Sequence, residues 1–213
     1  MGRFSALLDI KKGVTAIIGG GGKTTLMHLL AQELSQTGSV IVTTSTHIFK
    51  PTQLPFSETA ERVQGILCVG TPDKGGKLTA PRQSFAELAR LADYVLVEAD
   101  GSKGLPLKAH HSHEPVIPKE AHQVICVVGA SGLERPVEEA AHRPERYAAL
   151  AESRWASPEA AARVLEKEAL HSRVLINQAD SPQRIHAAKA LASFLHCPVA
   201  VVSLQKGEIL CSF

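Results

Sequence analysis

Val14–Thr25 reads VTAIIGGGGKTT, an apolar run followed by four glycines, a lysine and two threonines. The β-branched and apolar residues predict a strand over Val14–Ile18. The residues that follow predict a helix over Thr24–Gln36, because the leucines at 26, 29, 30 and 34 fall on one helical face. The stretch therefore predicts a strand that enters a helix through a glycine-rich turn.

Phosphate binding is the chemistry that this turn favours. Flexible glycines let backbone N–H groups converge on phosphate oxygens, and the helix start adds a partial positive charge. We expect Gly19, Gly20, Gly21, Gly22 and Thr25 to line the phosphates, Lys23 to reach the β- and γ-phosphates, and the Thr24 hydroxyl to ligate Mg²⁺. The loop is short, since Ile17 stands where the common G-x-x-x-x-G-K-[ST] pattern has glycine, and its length resembles that of Mur-type ligases. A glycine-rich turn with an incidental lysine is the alternative.

Six further short apolar runs follow along the chain: Val40–Thr44, Ile66–Val69, Tyr94–Glu98, Val124–Val128, Val174–Asn177 and Val199–Ser203. Strands that are apolar on both faces are covered by helices on both sides. Helical patterns lie between several of them, at Arg82–Ala92, Pro158–Glu168 and Pro182–Leu195. The alternation predicts one α/β domain over residues 1–213, a three-layer P-loop NTPase-like fold with a mostly parallel central sheet. Residues 71–81 are interpreted as a turn inside a hairpin or an inserted loop, and both 71–81 and 101–118 are candidate small insertions.

The composition of the chain argues against several classes of protein. The 213 residues are 44% hydrophobic, which argues against disorder, fibrous structure and a disulfide scaffold. With Lys+Arg 23 and Asp+Glu 21, the net charge of +2 is too balanced for a general nucleic-acid binder. The apolar runs are far shorter than the roughly 20 residues of a membrane span, and the N-terminal stretch lacks the pattern of a signal peptide. We expect a cytoplasmic protein without nucleic-acid or membrane partners.

Two carboxylates follow the predicted strand Tyr94–Glu98. Glu98 ends the strand and Asp100 comes two residues later, as in a Walker-B element. One acid would hold Mg²⁺ and the other would position an attacking water, and the pattern leaves open which does which. The spacing from Glu98 to Gly101 is similar to that of dethiobiotin synthetase-like proteins. A solvated turn after the strand is the alternative.

Hydroxyl groups cluster at the end of the predicted strand Val40–Thr44. Thr44 and Thr46 would face the same crevice as the other strand ends, and are candidates for holding Mg²⁺ or the γ-phosphate. Threonine is also simply a good strand former, so the cluster alone does not define a site.

A candidate base-recognition motif follows the predicted strand Val174–Asn177. Asn177 and Asp180 match the N-K-x-D pattern of GTP-binding proteins, with Gln178 in place of the lysine. In that resemblance Asp180 accepts hydrogen bonds from guanine, which would favour GTP over ATP. An Asx turn leading into a helix at Ser181 and Pro182 explains the same residues, so the nucleotide stays open.

Three basic residues remain as candidate anion contacts. Lys103 and Lys108 lie in the polar loop after Tyr94–Glu98, and Arg143 follows later. They are candidates for contact with an anionic substrate or the γ-phosphate, with solvated surface as the alternative.

Six blocks together resemble the YqeC family: Ile17–Met27 (IIGGGGKTTLM), Val42–Pro51 (VTTSTHIFKP), Val97–Lys108 (VEADGSKGLPLK), His113–Pro118 (HEPVIP), His142–Glu145 (HRPE) and Asn177–Asp180 (NQAD). Two blocks depart from it: His110 and His111 replace an expected proline-containing link, and Leu133–Pro136 matches loosely. The resemblance implies a P-loop nucleotide-binding protein that assists maturation of a selenium-dependent molybdenum hydroxylase or its cofactor, with that enzyme as a partner.

The motifs and the resemblance together predict a Mg²⁺-dependent nucleoside-triphosphate-binding protein that uses ATP or GTP and acts as an NTPase. Lys23, Glu98 and Asp100 would be its catalytic residues. Two alternatives stay open. One is a nucleotide-gated binding module or chaperone with little turnover of its own, and the other is a small-molecule kinase or Mur-like ligase.

Overall fold

The computed structural model describes residues 2–51 and 53–213. Within these ranges the strands are β1 (Gly13–Gly19), β2 (Val40–Thr44), β3 (Ile48–Phe49), β4 (Phe56–Ser57), β5 (Ile66–Val69), β6 (Thr71–Asp73), β7 (Lys77–Thr79), β8 (Tyr94–Glu98), β9 (Leu107–Lys108), β10 (Ala121–Gly129), β11 (Ala141–His142), β12 (Arg173–Asn177), β13 (Val199–Ser203) and β14 (Glu208–Ser212). The helices are α1 (Arg3–Leu7), α2 (Lys23–Leu34), α3 (Phe85–Leu91), α4 (Val137–Ala140), α5 (Pro144–Ala151), α6 (Pro158–Glu168) and α7 (Pro182–Ser193). None of these helices combines the length and the apolar character that crossing a membrane requires.

The chain divides into two compact units. The first unit comprises Met1–Ile17, Leu26–Gly101 and Val116–Val124. The second unit comprises Ile18–Thr25, Ser102–Pro115 and Ile125–Phe213. The single domain over residues 1–213 stays a prediction from the sequence.

Five parallel strands form the sheet of the first unit, in the order β1, β8, β2, β5, β4. β8 is central, with Glu98 beside Ile17 of β1 on one side and beside Thr44 of β2 on the other. Its Val95 and Val97 pack with Leu88 of α3 in a buried core. The register places the carboxyl ends of β2 and β8 at the same level.

A small antiparallel sheet of β3, β7 and β6 also belongs to the first unit. β6 and β7 pair from Thr71 opposite Thr79 to Asp73 opposite Lys77, with a short 3₁₀ turn at Lys74–Gly76 between them. The hairpin turn predicted within residues 71–81 is therefore confirmed.

The strands of the second unit lie in the order β10, β12, β13, β14. The first three are parallel, and β14 adds an antiparallel edge. Serine side chains cap two of its helices: Ser157 accepts from the Ala160 N–H at the start of α6, and Ser181 accepts from the Arg184 N–H at the start of α7. Proline occupies the first turn in both, where its missing N–H costs nothing.

The predicted α/β class with a mostly parallel sheet is confirmed. All seven predicted strands form, as β1, β2, β5, β8, β10, β12 and β13. The four predicted helices form as α2, α3, α6 and α7, with ends that differ by a few residues. The polar loop after β8 contains the two-residue strand β9, which pairs in parallel with β11.

Candidate functional site

The four glycines at 19–22, here called the glycine loop, connect β1 to α2 in the second unit. The loop is held by two backbone hydrogen bonds. The Gly20 N–H donates to the Val127 carbonyl at 2.8 Å, and the Gly21 N–H donates to the Leu105 carbonyl at 3.2 Å. The loop therefore packs between β10 and the segment that leads into β9.

Close packing requires glycine in this loop. Gly21 has a φ of +77°, and a Cβ there would lie 2.4 Å from the Gly129 Cα. Gly22 has a φ of +128°, and its Cβ would lie 2.4 Å from the Asn177 amide nitrogen. Any other residue would combine a strained backbone with a clash. The glycines are thus explained by conformation and packing, whatever the loop binds.

Lys23 is buried at the start of α2, with its side chain folded back along the loop. Its Nζ donates to the Gly19 carbonyl at 2.7 Å. A buried ammonium is costly unless it is hydrogen-bonded, and the loop carbonyl supplies such a bond. Thr24 and Thr25 follow in the first helical turn and are exposed. The loop thus presents a positive charge, a helix start and two accessible hydroxyls within three residues.

Asn177 ties the glycine loop to the end of β12. Its buried amide donates from Nδ2 to the Gly21 carbonyl at 2.7 Å, and its Oδ1 accepts from the Leu204 N–H at 2.9 Å. The structure therefore brings the predicted base-recognition motif and the predicted phosphate loop together. It also gives Asn177 a structural task that the sequence pattern did not indicate.

The Asp180 carboxylate lies beside the end of β13. Its Oδ1 accepts from the Ser203 hydroxyl at 2.5 Å, and its backbone carbonyl accepts from Lys206 Nζ at 3.1 Å. Sequence reasoning missed Ser203 and Lys206. The available signal was a polar residue, Ser203, that ends an otherwise apolar strand.

Gln178, which replaces the lysine of the N-K-x-D pattern, has a left-handed backbone with a φ of 63°. Its Oε1 accepts from the Ser131 hydroxyl at 2.5 Å. A Cβ on Gly129 would lie 2.4 Å from the same Oε1, so the Gln178 side chain covers Gly129. Ser131 and Gly129 are further residues next to the glycine loop that the sequence analysis did not single out.

The strand ends of the first unit carry the two predicted acids and the threonines. Glu98 and Asp100 are both buried. The Thr44 hydroxyl donates to the Glu98 carbonyl at 2.8 Å and accepts from the Thr46 N–H at 3.0 Å. The hydroxyls of Thr44 and Thr46 lie 3.4 Å apart. Thr44 thus fixes the backbone at the end of β8, next to the two carboxylates.

An ion-pair cluster in the second unit contains two of the three predicted anion contacts. Lys108 Nζ donates to one Glu114 oxygen at 2.9 Å, and Arg143 Nε donates to the other. Lys103 is exposed on the same loop and is not part of these pairs. Partial burial tends to raise the pKa of Glu114, but the hydrogen bonds and charges of Lys108 and Arg143 outweigh it and lower the pKa to about 2. Glu114 is therefore ionised at neutral pH.

Lys108 also connects this cluster to the glycine loop. In the parallel pairing of β9 with β11, Lys108 lies opposite His142, and Arg143 is the next residue in the chain. Lys108 and Gly19 line the same narrow cavity, together with Val127 of β10 and the buried Tyr147 of α5. The second unit therefore contains a loop with a phosphate-binding pattern and a basic cluster close to it.

The geometry defines a class: an α/β protein in which a strand enters a helix through a glycine loop that carries a buried lysine. Within this class the chain belongs to the YqeC family, since the family described as YqeC protein matches residues 15–145. The match includes the glycine loop, the two acids at and after the end of β8, and the cluster around Glu114, while Asn177 and Asp180 lie beyond it.

The chain is also 34% identical over 151 residues to a protein of Escherichia coli (strain K12) named "Uncharacterized protein YqeC". The aligned region covers 63% of this chain and 59% of that protein. The chain thus spans less than two thirds of the length of the curated relative that it matches.

Proposed function

We propose that this protein binds a nucleoside triphosphate with Mg²⁺ at the glycine loop and hydrolyses it. The observation that carries the proposal is Lys23, whose buried ammonium donates to the Gly19 carbonyl at 2.7 Å in a loop that admits only glycine. A phosphate oxygen is a stronger partner for an ammonium than a neutral carbonyl is, because both groups are charged. The residues therefore fit a phosphate group.

The hydrogen bonds within the glycine loop limit which backbone amides are assigned to the phosphate. The N–H groups of Gly20 and Gly21 donate to Val127 and Leu105, so the proposal assigns the phosphate to the amides from Gly22 onward, at the positive end of α2. The exposed Thr24 hydroxyl is the proposed Mg²⁺ ligand from this loop. Bound Mg²⁺ would supply positive charge to the phosphate oxygens. Glu98 and Asp100 keep the roles proposed from their sequence pattern, one as a metal ligand and the other orienting water.

The proposed nucleotide is GTP, with ATP as the alternative. A carboxylate that reads guanine must be held in one orientation, and Ser203 holds Asp180 through its hydroxyl at 2.5 Å. Lys206 fixes the backbone of the same residue. These contacts support base recognition by Asp180, whereas the amide of Asn177 is bonded to the loop and to Leu204.

A hydrolysis assay tests the proposal. We expect Mg²⁺-dependent release of phosphate from GTP or ATP, and its loss in Lys23→Ala, because that lysine is the proposed charge on the transferring phosphoryl group. Lys189→Ala is the matched control, since Lys189 is exposed on α7. Equal hydrolysis in Lys23→Ala and the wild type would contradict the assignment.

The family resemblance extends the proposal to a biological role, assistance in maturing a selenium-dependent molybdenum hydroxylase or its cofactor in the cytoplasm. If the protein is a nucleotide-gated chaperone, intrinsic turnover will be low and will rise when that partner is added. Turnover that is the same with and without a purified molybdenum hydroxylase would count against this role.

The ion-pair cluster favours a second candidate function, a small-molecule kinase or Mur-like ligase. Such enzymes need a binding site for an acidic second substrate, and Lys108 and Arg143 converge on one carboxylate close to the glycine loop. Product analysis distinguishes the two functions. Free phosphate as the sole product, with every candidate acceptor, would exclude the transferase.

A further inference from the structure

Two cations share the carboxylate of Glu114. Lys108, Arg143 and Glu114 have side chains that are 0%, 31% and 11% exposed, and both cations bond to the single carboxylate. The bond to Glu114 holds the partly exposed guanidinium of Arg143 in place. A guanidinium that is fixed in this way suits the binding of an oxyanion.

Arg143 retains donors for such an anion. Its Nε–H is the donor to Glu114, and within the described residues neither of its Nη groups forms a hydrogen bond. Its backbone is left-handed, with φ 66° and ψ 61°, and it precedes the first turn of α5 without making a side-chain cap. An unusual conformation of a non-glycine residue next to a cluster of charges is typical of functional sites. The planar guanidinium suits an oxyanion with two acceptor oxygens.

His142, the preceding residue, contributes an independent observation. Its Nδ1 is buried and has no hydrogen-bond partner among the described residues. Buried polar atoms are nearly always bonded, so an atom of this kind calls for a partner. Burial lowers the pKa of His142, and the charges of Lys108 and Arg143 lower it further. The ring is therefore neutral at pH 7, with one nitrogen as donor and the other as acceptor.

We propose that Arg143, which is held by Glu114, and the neighbouring His142 bind the phosphate or carboxylate group of a second small-molecule substrate next to the glycine loop. The Gly21 N–H bonds to the Leu105 carbonyl, and Lys108 follows Leu105 by three residues, at most about 10 Å along the chain. Lys108 is the register partner of His142, so the proposed site lies on the segment that contacts the glycine loop. The second-substrate role rests on the proposed function, while binding of the anion itself does not. Lys108 and Glu114 are positioning residues, since they hold Arg143 and β9 in place.

The experiment follows the His142 side chain by NMR in histidine-labelled full-length protein. The background is Lys23→Ala, which removes the proposed phosphate site of the loop, and the His142 signal is the one missing in His142→Gln. The probes are inorganic phosphate and succinate, with chloride at equal ionic strength as the reference. We expect at least one probe to shift this signal saturably and chloride not to do so.

Arginine variants test the assignment of the donor. Arg143→Gln should weaken the binding of the effective probe at least about tenfold, because it removes a charge-assisted pair. Arg143→Lys, which keeps the charge but loses the planar fork, should weaken it less. Arg135→Gln is the matched control, since Arg135 pairs with Glu139 on the surface. Unchanged binding in a folded Arg143→Gln variant would overturn the proposal, and so would a His142 signal that neither probe moves.

The source of the oxyanion is decided with wild-type protein saturated with a non-hydrolysable triphosphate analogue. We expect the probe to shift the His142 signal as before, because a separate substrate supplies the anion. If the triphosphate analogue blocks the shift and the diphosphate does not, the γ-phosphate fills the site and the second-substrate proposal is wrong. If no nucleotide binds, the proposed function fails, while the titration in Lys23→Ala still reports on the anion site.

Discussion

Glu114 is the residue on which the basic cluster depends. It accepts from Lys108, whose side chain is fully buried, and from Arg143. Loss of its charge would remove a carboxylate that accepts from a buried ammonium and from a guanidinium, so we expect Glu114→Gln to lower the free energy of unfolding by about 3 kcal/mol. Urea denaturation at pH 7 measures this. The matched control, Glu139→Gln, removes the acid of an exposed pair with Arg135 and should cost less than about 1 kcal/mol.

The same residue predicts a dependence of stability on pH. The pKa of Glu114 is lowered from 4.5 to about 2 in the folded protein. A lowered carboxyl pKa stabilises the folded state fully above the unfolded value, and this stabilisation is lost as the pH falls from about 4.5 towards 2. The difference between wild type and Glu114→Gln should therefore shrink between pH 6 and pH 3. A difference that is constant over this range would show that Glu114 is not held ionised by its partners.

Asp180 is the residue that distinguishes GTP from ATP in the proposed site. Asp180→Ala should weaken GTP binding at least about tenfold, because it removes charge-assisted hydrogen bonds to the base, and should leave ATP binding unchanged. Ser203→Ala, which removes only the group that orients the carboxylate, should have a smaller effect in the same direction. Competition between the two nucleotides for a fluorescent analogue measures both. An equal loss of GTP and ATP binding would assign Asp180 to folding rather than to base recognition.

At the scale of elements, the connection between β1 and α2 requires glycine for two separable reasons. Gly21→Ala combines a positive φ with a Cβ 2.4 Å from Gly129, whereas Gly75→Ala has a φ of +71° with nothing within 4 Å. We expect Gly75→Ala to cost about 1 kcal/mol from backbone strain alone, and Gly21→Ala to cost more and to disrupt the loop. Thermal unfolding of both variants compares them. Equal losses would mean that the loop relaxes around the added methyl group.

Elements buried on both faces were predictable, and exposed or short ones were not. β1, β8 and β12 are runs of apolar and β-branched residues, a pattern that is typical of strands covered on both faces in a parallel sheet. The edge strand β14 is at most half-buried at every position, so it lacks that pattern. α5 was missed because only Tyr147 and Ala151 of its eight residues are buried, which leaves too weak a helical period.

The candidate site likewise contains residues that the sequence predicts and contacts that it does not. Local order along the chain indicated Lys23, Thr24, Asn177 and Asp180, because each lies at the end of a predicted strand or a few residues after it. The bond from Asn177 to Gly21 joins residues 156 positions apart, and no local pattern encodes such a pair. Glu114 was missed for the same reason, since its role depends on Arg143 of another element.

Across the whole molecule the net charge is only +2, and the candidate ligand-binding charges are a few side chains at defined positions. Lys23 directly follows the glycine loop, and Lys108 and Arg143 lie beside Glu114. Both groups fall within residues 15–145, the part that matches the YqeC family. A protein of this kind should recognise small charged ligands at defined sites rather than polyanions along a surface.

Thermal unfolding with added ligand measures whether a nucleoside triphosphate binds at the glycine loop. A ligand at one hundred times its Kd stabilises the folded state by about 2.7 kcal/mol. With Mg²⁺ and saturating GTP or ATP, we expect a higher Tm for the wild type and for Lys189→Ala, and no change for Lys23→Ala. A wild-type Tm that neither nucleotide raises would mean that no nucleotide binds, and an equal rise in Lys23→Ala would mean that it binds elsewhere.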